Sequence, residues 1–118
     1  MDVIAVVDDE ESVRRSVANF LRSAGLAVET FTSAEDFLSS VERARTRCMV
    51  LDLQMGGTSG LDLMRHLAAA GQRVPAVILT AHGDEEMRRR CLAAGAVAFL
   101  DKPFHADALL DAVQTALR

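Results

Sequence analysis

Cys48-Met49-Val50-Leu51-Asp52-Leu53 is an apolar run that contains a single carboxylate, and it is the stretch that decides the fold class. Runs of this kind are typical of parallel strands that helices cover on both faces. Val3–Val7 and Ala76–Thr80 have the same character, while Ala27–Phe31 and Val97–Leu100 are shorter runs that also favour strands. The sequence therefore predicts five strands.

Amphipathic segments separate these strands. Apolar residues recur at helical spacing within 13–24, 61–68 and 109–117. Residues suited to N-capping precede the expected helices, and three Ala-Ala-Gly or Ser-Ala-Gly sequences are suited to ending them: Ser33, Ser59 and Asp84 at the starts, Gly25, Gly71 and Gly95 at the ends. This alternation predicts a parallel sheet with right-handed crossovers, helices on both faces and one domain over residues 1–118.

The composition excludes several classes of protein. Half of the 118 residues are hydrophobic and a quarter are charged, which is typical of a folded globule and not of a disordered chain or a coiled coil. No apolar run approaches the roughly 18 residues that a membrane span needs. The net charge of −4 argues against a nucleic-acid surface as the main feature. Cys48 and Cys91 lie far apart, which favours two buried, unbridged side chains.

Polar residues gather at the ends of four of the five strands. Parallel α/β sheets bind ligands outside the carboxyl ends of their strands, so these residues are expected to meet at one edge: Asp8, Asp9, Asp52, Thr80 and Lys102. Taken singly, an acid could cap a helix, Thr80 could be an ordinary strand residue and Lys102, the only lysine, a solvated loop charge. Asp52 is harder to dismiss, because a carboxylate within an apolar strand is costly unless it is compensated.

Three carboxylates at one edge imply a missing cation. At about 5 Å and an effective dielectric constant of 20, each pair repels by about 3 kcal/mol, and one ammonium cannot neutralise three acids. Oxygen ligands with open positions suit Mg²⁺, which commonly shares its coordination shell with phosphate. An acidic Mg²⁺ site beside a lysine is suited to phosphoryl transfer.

Four motifs give the chain a family resemblance over nearly its whole length. They are Val6-Val7-Asp8-Asp9-Glu10, Val50-Leu51-Asp52-Leu53, Leu79-Thr80-Ala81, and Phe99-Leu100-Asp101-Lys102-Pro103-Phe104. In this order and spacing the chain resembles the receiver domain of bacterial two-component response regulators, most of all the nitrogen-fixation-type transcriptional regulators. The resemblance implies a flavodoxin-like, doubly wound five-stranded parallel sheet of order 2-1-3-4-5 with five helices.

The resemblance also implies a role for each residue at the strand ends. Asp52 is expected to accept a phosphoryl group from a sensor histidine kinase. A Mg²⁺ ion, with Mn²⁺ as the alternative, is expected to be bound directly by Asp9 and Asp52, through water by Asp8, and by the backbone carbonyl of Gln54. Lys102 and Thr80 are expected to contact phosphoryl oxygens, and the Lys102–Pro103 peptide is expected to be cis. The chain is expected to catalyse its own phosphoryl transfer and slow dephosphorylation, and not to act as an enzyme on other substrates.

The resemblance further implies a conformational output. Thr80 is expected to move toward the phosphoryl group and Phe99 to turn inward behind it. The alternative for Phe99, which is less favoured, is a permanently buried core residue. The fourth helix, fifth strand and fifth helix form the expected output face, where Arg88, Arg89 and Arg90 could pair with Asp101, Asp107 or Asp111 of a second copy in a homodimer. The bland alternative for the arginine run is a solvated helix face. The expected setting is the cytoplasm, with no membrane contact.

An output domain would carry any DNA binding, and these 118 residues contain none. Both a stand-alone regulator and a receiver from a longer regulator remain open. The kinase, the signal and the target genes cannot be inferred from the residues.

Some local features depart from the family pattern or remain open. Receivers commonly have proline after the methionine that follows the acceptor strand, whereas this chain has Met55-Gly56-Gly57, which predicts a more mobile loop and an altered metal affinity. Gln54 and His82 are predicted to tune dephosphorylation, unless they are simply exposed loop side chains.

Three other classes of protein compete with the receiver interpretation. A haloacid-dehalogenase-type phosphatase needs a second acid where Gln54 stands. A flavodoxin needs a first loop that cradles phosphate, and the acids from Asp8 to Glu11 would repel it. A receiver-like module that is never phosphorylated usually lacks one of the site residues that this chain retains.

Overall fold

A computed structural model describes residues 2–118, so Met1, the first residue of the predicted domain, lies outside the described residues. Five parallel strands form one sheet in the order β2-β1-β3-β4-β5, as predicted. The strands are β1 (Val3–Val7), β2 (Val28–Phe31), β3 (Thr46–Asp52), β4 (Ala76–Thr80) and β5 (Ala96–Asp101).

Residues 2–118 contain five α-helices, of which the first four lie between successive strands and the fifth follows β5. They are α1 (Glu11–Ser23), α2 (Ala34–Leu38), α3 (Gly60–Ala69), α4 (Glu85–Ala93) and α5 (Ala106–Ala116), with a 3-10 helix over Val41–Arg45 before β3. The predicted N-caps are confirmed, because the side chains of Ser33, Ser59 and Asp84 each accept a backbone N–H of the first helical turn. Within residues 2–118, no helix combines the length and apolarity that a membrane crossing requires.

The sheet has a separate apolar core on each face. Alternate side chains of the central strands, such as Val7 and Leu51, pack with α2, α3 and α4, whereas their neighbours, such as Val6 and Val50, pack with α1 and α5. Every residue of β1 and β4 is buried, which explains why their sequences show no polar alternation. Cys48 and Cys91 are buried and unbridged, as predicted.

The predicted bounds of three strands were slightly wrong. β3 begins at Thr46 and not at Cys48, because Thr46 pairs with Val3 and its hydroxyl donates to the backbone carbonyl of Glu42. β3 ends at Asp52, one residue before the predicted bound. β2 begins one residue late at Val28, and β5 extends by one residue at each end. The ends of these strands are set by pairing with neighbouring strands, which the local sequence pattern does not show.

Candidate functional site

The carboxyl ends of the central strands meet at one edge of the sheet, and the predicted polar residues gather there. Asp8 directly follows β1, Asp52 ends β3, Thr80 ends β4 and Lys102 follows β5. Asp52 and Lys102 line an open pocket of about 390 Å³ at this edge. Its lining consists of Asp9, Glu10, Asp52, Gln54, Ala81, His82 and Lys102.

Three carboxylates form the acidic part of the site. One oxygen from each of Asp8, Asp9 and Asp52 lies within 4.8 Å of the others. Asp8 and Asp52 are buried, with 2% and 6% of their surface exposed, whereas Asp9 is exposed. The predicted convergence of the three acids is therefore present in the structure.

One backbone N–H donates to each of these carboxylates. Glu10 donates to Asp8 Oδ1 at 2.9 Å, Gln54 to Asp52 Oδ1 at 3.2 Å, and Gly56 to Asp9 Oδ2 at 3.2 Å. The first two donors lie two residues after their acceptors, whereas the third comes from a different loop. These bonds orient the carboxylates without neutralising their charge.

Lys102 supplies a positive charge beside this cluster. Its Nζ lies 3.4 Å from Asp8 Oδ2, 3.7 Å from Asp52 Oδ1 and 3.8 Å from Glu10 Oε1. Only 15% of its side chain is exposed, so the alternative of a solvated loop charge is wrong. A single ammonium faces several carboxylates, which leaves the pocket with an excess of negative charge.

Burial and neighbouring charge together raise the pKa of Asp52. Burial, and next the neighbouring charge of Asp8, raise the pKa of Asp52 from 3.8 to about 6, although Lys102 acts in the opposite direction. The pKa of Asp52 therefore lies closer to neutral pH than that of an ordinary aspartate.

The donor set fits a hard divalent cation. All of the side-chain donors in the cluster are carboxylate oxygens, which Mg²⁺ and Mn²⁺ accept, and there is no nitrogen or sulfur ligand among them. A divalent charge would also offset the repulsion that raises the pKa of Asp52. The cluster has the chemistry of a magnesium-type site.

A backbone hydrogen bond links Thr80 to Lys102. Its side chain is fully buried, and its Oγ1 accepts the N–H of His82 at 3.1 Å. Its carbonyl accepts the N–H of Lys102 at 2.7 Å, and the Lys102–Pro103 peptide is cis, as predicted. Because the Thr80 hydroxyl acts as an acceptor in this contact, its own proton can be donated to another group, and the backbone hydrogen bond places Thr80 next to Lys102.

Phe99 and Thr80 both lie next to Gly83, in the loop after β4. The ring is partly buried and packs against the core on the α3–α4 side of the sheet. A Cβ atom at position 83 would lie 2.5 Å from the Phe99 ring and 2.7 Å from the Thr80 methyl group. Sequence analysis missed Gly83, because only the folded chain shows which side chains approach it.

The loop between β3 and α3 has a second contact that the sequence did not reveal. The hydroxyl of Thr58 donates to Glu35 Oε2 at 2.5 Å, and the Thr58 N–H donates to the same oxygen at 3.4 Å. This hydrogen bonding holds the pKa of Glu35 below its ordinary value. The loop that carries Gly56 is thus hydrogen-bonded both to Asp9 and to α2.

The predicted output and lifetime residues lie at the surface. Gln54 and His82 are exposed and line the same pocket as Asp52. Arg88 and Arg90 form exposed ion pairs with Glu85 and Glu86 of their own helix. These pairs agree with a solvated helix face and leave the dimer interface a prediction.

Comparison with known proteins identifies the class to which this fold and site belong. The response regulator receiver domain matches residues 4–114, and the chain belongs to this family. The phosphatase and flavodoxin alternatives are therefore wrong, while the receiver-like module without phosphorylation is left for experiment.

The individual relatives are regulators of transcription and nodulation. The chain is 45% identical over 114 residues to Nodulation protein W of Bradyrhizobium diazoefficiens, covering 97% of this chain and 50% of the relative. It is 39% identical over 113 residues to the transcriptional regulatory protein FixJ of Rhizobium meliloti, covering 96% and 55%. The chain thus spans about half the length of the curated relatives it matches.

Solved structures agree with the fold. The crystal structure of FixJ-N superposes with a TM-score of 0.89 at 36% identity, covering 99% of this chain and 94% of that one. The response regulator StyR superposes with a TM-score of 0.90 at 46% identity, covering 98% and 59%.

Proposed function

We propose that residues 1–118 act as one receiver domain that accepts a phosphoryl group on Asp52 from a sensor histidine kinase. The observation that carries the proposal is the surroundings of the Asp52 carboxylate. It lies at the edge of an open pocket, 3.7 Å from Lys102 Nζ and in a cluster with Asp8 and Asp9. An acceptor, a neutralising cation and a metal-type donor set meet at one point.

In the proposed reaction, a carboxylate oxygen of Asp52 attacks the phosphorus of the donor. The bond from phosphorus to the kinase histidine nitrogen breaks, the nitrogen keeps the electron pair, and an acyl phosphate forms. Lys102 pairs with one phosphoryl oxygen, and the Thr80 hydroxyl donates to another as negative charge develops. The chain thereby assists its own phosphorylation, because the groups that stabilise the transferring phosphoryl are its own.

Magnesium fits the proposed site, with manganese as the alternative. Asp9 and Asp52 would bind the ion directly, Asp8 would act largely through water, and the Gln54 backbone carbonyl would complete the share of the protein. When bound, the ion supplies charge neutralisation to the transferring phosphoryl group. Because Asp8 and Asp52 are buried, the fold shields these two carboxylates from bulk water.

The proposed output is a change of conformation that begins at Thr80 and Phe99. Movement of Thr80 toward the phosphoryl group would open space next to the Phe99 ring, which already lies beside it. The phosphoryl group would then bias a two-state equilibrium of the face that α4, β5 and α5 form. Because relatives of about twice the length are transcriptional regulators, we propose a transcriptional output through a partner or a further domain, in the cytoplasm.

The decisive experiment is labelling with acetyl phosphate and Mg²⁺, followed by peptide mass spectrometry. The peptide that contains Asp52 is expected to gain one phosphoryl group, and Asp52→Asn to abolish the gain. Asp62→Asn is the matched control, because Asp62 is an exposed carboxylate on α3 outside the pocket. Absence of labelling in the unmodified protein would favour the unphosphorylated module, and labelling of Asp52→Asn would place the acceptor elsewhere.

A second hypothesis concerns the lifetime of the phosphoryl group. Gln54 and His82 line the pocket from two sides, where water would approach the phosphorus. Gln54→Ala and His82→Ala are therefore expected to change the rate of phosphate release after donor removal. If both variants release phosphate at the unmodified rate, these residues are only exposed loop side chains.

A further inference from the structure

The loop after β3 carries a contact to the metal-type cluster that a proline-bearing loop could not make. Gly56 N–H donates to Asp9 Oδ2 at 3.2 Å, across 47 positions of the chain. The proline that receivers commonly have at this position has no N–H to donate. The contact therefore belongs to the Met55-Gly56-Gly57 sequence of this chain.

Asp9 is the carboxylate that most needs an orienting partner. Asp8 and Asp52 are buried and accept N–H groups from their own turns, two residues away. Asp9 is exposed, so packing does not fix its side chain, and Gly56 holds it from another loop. Hydrogen bonds of this kind fix the orientation of metal ligands and commonly change metal affinity by ten- to a hundredfold.

The other end of the loop holds the donor in place. Both the hydroxyl and the N–H of Thr58 donate to Glu35 Oε2 at the start of α2. Gly56 lies two residues before Thr58, which these hydrogen bonds anchor. The Gly56 N–H therefore loses less conformational freedom when it binds Asp9 than an N–H on an unanchored loop would.

We propose that the Gly56 N–H is a positioning donor that orients Asp9 for the divalent cation. The proposal rests on the proposed function in one respect, namely that Asp9 is a ligand of that cation. In this proposal, the absence of proline at position 56 adds one hydrogen bond at the site and does not simply make the loop more mobile.

The first test compares two substitutions at the same position by calorimetric titration with Mg²⁺. Gly56→Pro removes the N–H and is expected to weaken Mg²⁺ binding by about tenfold. Gly56→Ala retains the N–H. The space around position 56 is open and its backbone is not left-handed, so the alanine variant is expected to bind Mg²⁺ with the unmodified affinity. Equal affinities of the proline and alanine variants would overturn the proposal.

The second test uses metal-free protein in a chelator, so that it does not depend on the ion. Asp9→Ala is expected to accelerate amide hydrogen exchange at Gly56 and to leave exchange at Thr58, which Glu35 protects, unchanged. Unchanged exchange at Gly56 would overturn the proposal even if the proline variant binds Mg²⁺ weakly.

Acetyl phosphate labelling separates this proposal from the proposed function. At saturating Mg²⁺, Gly56→Pro is expected to label on Asp52. If Gly56→Pro is labelled and binds Mg²⁺ with unchanged affinity, only the proposed role of Gly56 is contradicted. If the unmodified protein is not labelled, the proposed function is contradicted.

Discussion

Asp52 is held between opposing influences in the metal-free protein. Burial and the charge of Asp8 favour its protonated form, whereas Lys102 favours the carboxylate. The net result is a pKa of about 6, above the ordinary 3.8. The side chain that the proposed reaction needs ionised is thus harder to ionise in this fold than an ordinary aspartate.

Asp52→Asn is expected to stabilise the metal-free protein in a pH-dependent manner. Because the pKa of Asp52 is higher in the folded than in the unfolded state, the folded state binds the extra proton. The unmodified protein therefore loses stability as the pH rises from about 4 to above 6, by up to about 3 kcal/mol, and the asparagine variant does not. Urea unfolding in a chelator at pH 4.5 and 7.5 should show a clearly larger advantage of the variant at the higher pH, because most of the loss falls between these two values.

The same experiment with saturating Mg²⁺ is the control. The ion binds the folded, ionised cluster, so it should shrink the advantage of Asp52→Asn at pH 7.5. An advantage that is equal at both pH values would contradict the proposed origin of the pKa shift.

Gly83→Ala is expected to destabilise the protein by about 1–3 kcal/mol, because the added methyl would overlap the Phe99 ring and the Thr80 methyl. Urea unfolding measures the cost. Phe99→Leu removes the far end of the ring, so the alanine substitution should cost less in that background. An equal cost in both backgrounds would show that the ring is not the obstacle.

At the scale of elements, the connection between β3 and α3 places the acceptor. The first residue of α3, Gly60, lies so near the end of β3 that a Cβ atom there would be 2.7 Å from the Asp52 carbonyl oxygen. The N–H of Gly60 also donates to the Leu53 carbonyl. The helix thus begins in direct contact with the strand that carries Asp52.

Gly60→Ala separates helix propensity from this contact. Propensity alone would stabilise the helix by up to about 1 kcal/mol, whereas the contact with backbone atoms requires strand or helix to shift. We expect the contact to dominate, with a net destabilisation of about 1–3 kcal/mol in urea unfolding. A stabilised variant would show that β3 or α3 can shift to accept the methyl group without a loss of stability.

The sequence predicts those elements whose pattern is local. Continuous apolar runs identified the central strands, and acids at their ends identified the site, because parallel strands bring their carboxyl ends together. The 3-10 helix Val41–Arg45 and the pairing of Thr46 were missed, since these residues form no continuous apolar run and their positions depend on neighbouring elements. Gly83 beside Phe99, and Thr58 bonded to Glu35, join segments that are distant in sequence, so no spacing rule reveals them.

At the scale of the molecule, the predicted interface consists of α4, β5 and α5. Leu92 of α4 and Val97 of β5 are exposed apolar side chains, and the same three elements carry the exposed arginines 88–90 and the exposed acids Asp101, Asp107 and Asp111. A surface that offers apolar groups and both signs of charge suits a symmetric contact between two copies.

Beryllofluoride with Mg²⁺, which mimics the phosphoryl group, is expected to shift the protein from monomer toward dimer in light scattering. Arg89→Glu should weaken that dimer by about tenfold or more, because it places like charges opposite each other. Arg15→Glu on the exposed face of α1 is the matched control and should leave it unchanged. A dimer that is indifferent to Arg89, or no dimer at all, would rule out this interface.

The proposed reacting groups stand in turns at strand ends or on the strands themselves, and none stands on the outward surface of a helix. Two proteins built this way can therefore share identical chemistry while presenting different exteriors. If the proposed phosphoryl transfer is correct, we expect selectivity for one kinase to depend on residues at the helix surfaces, which can change without altering the reacting groups.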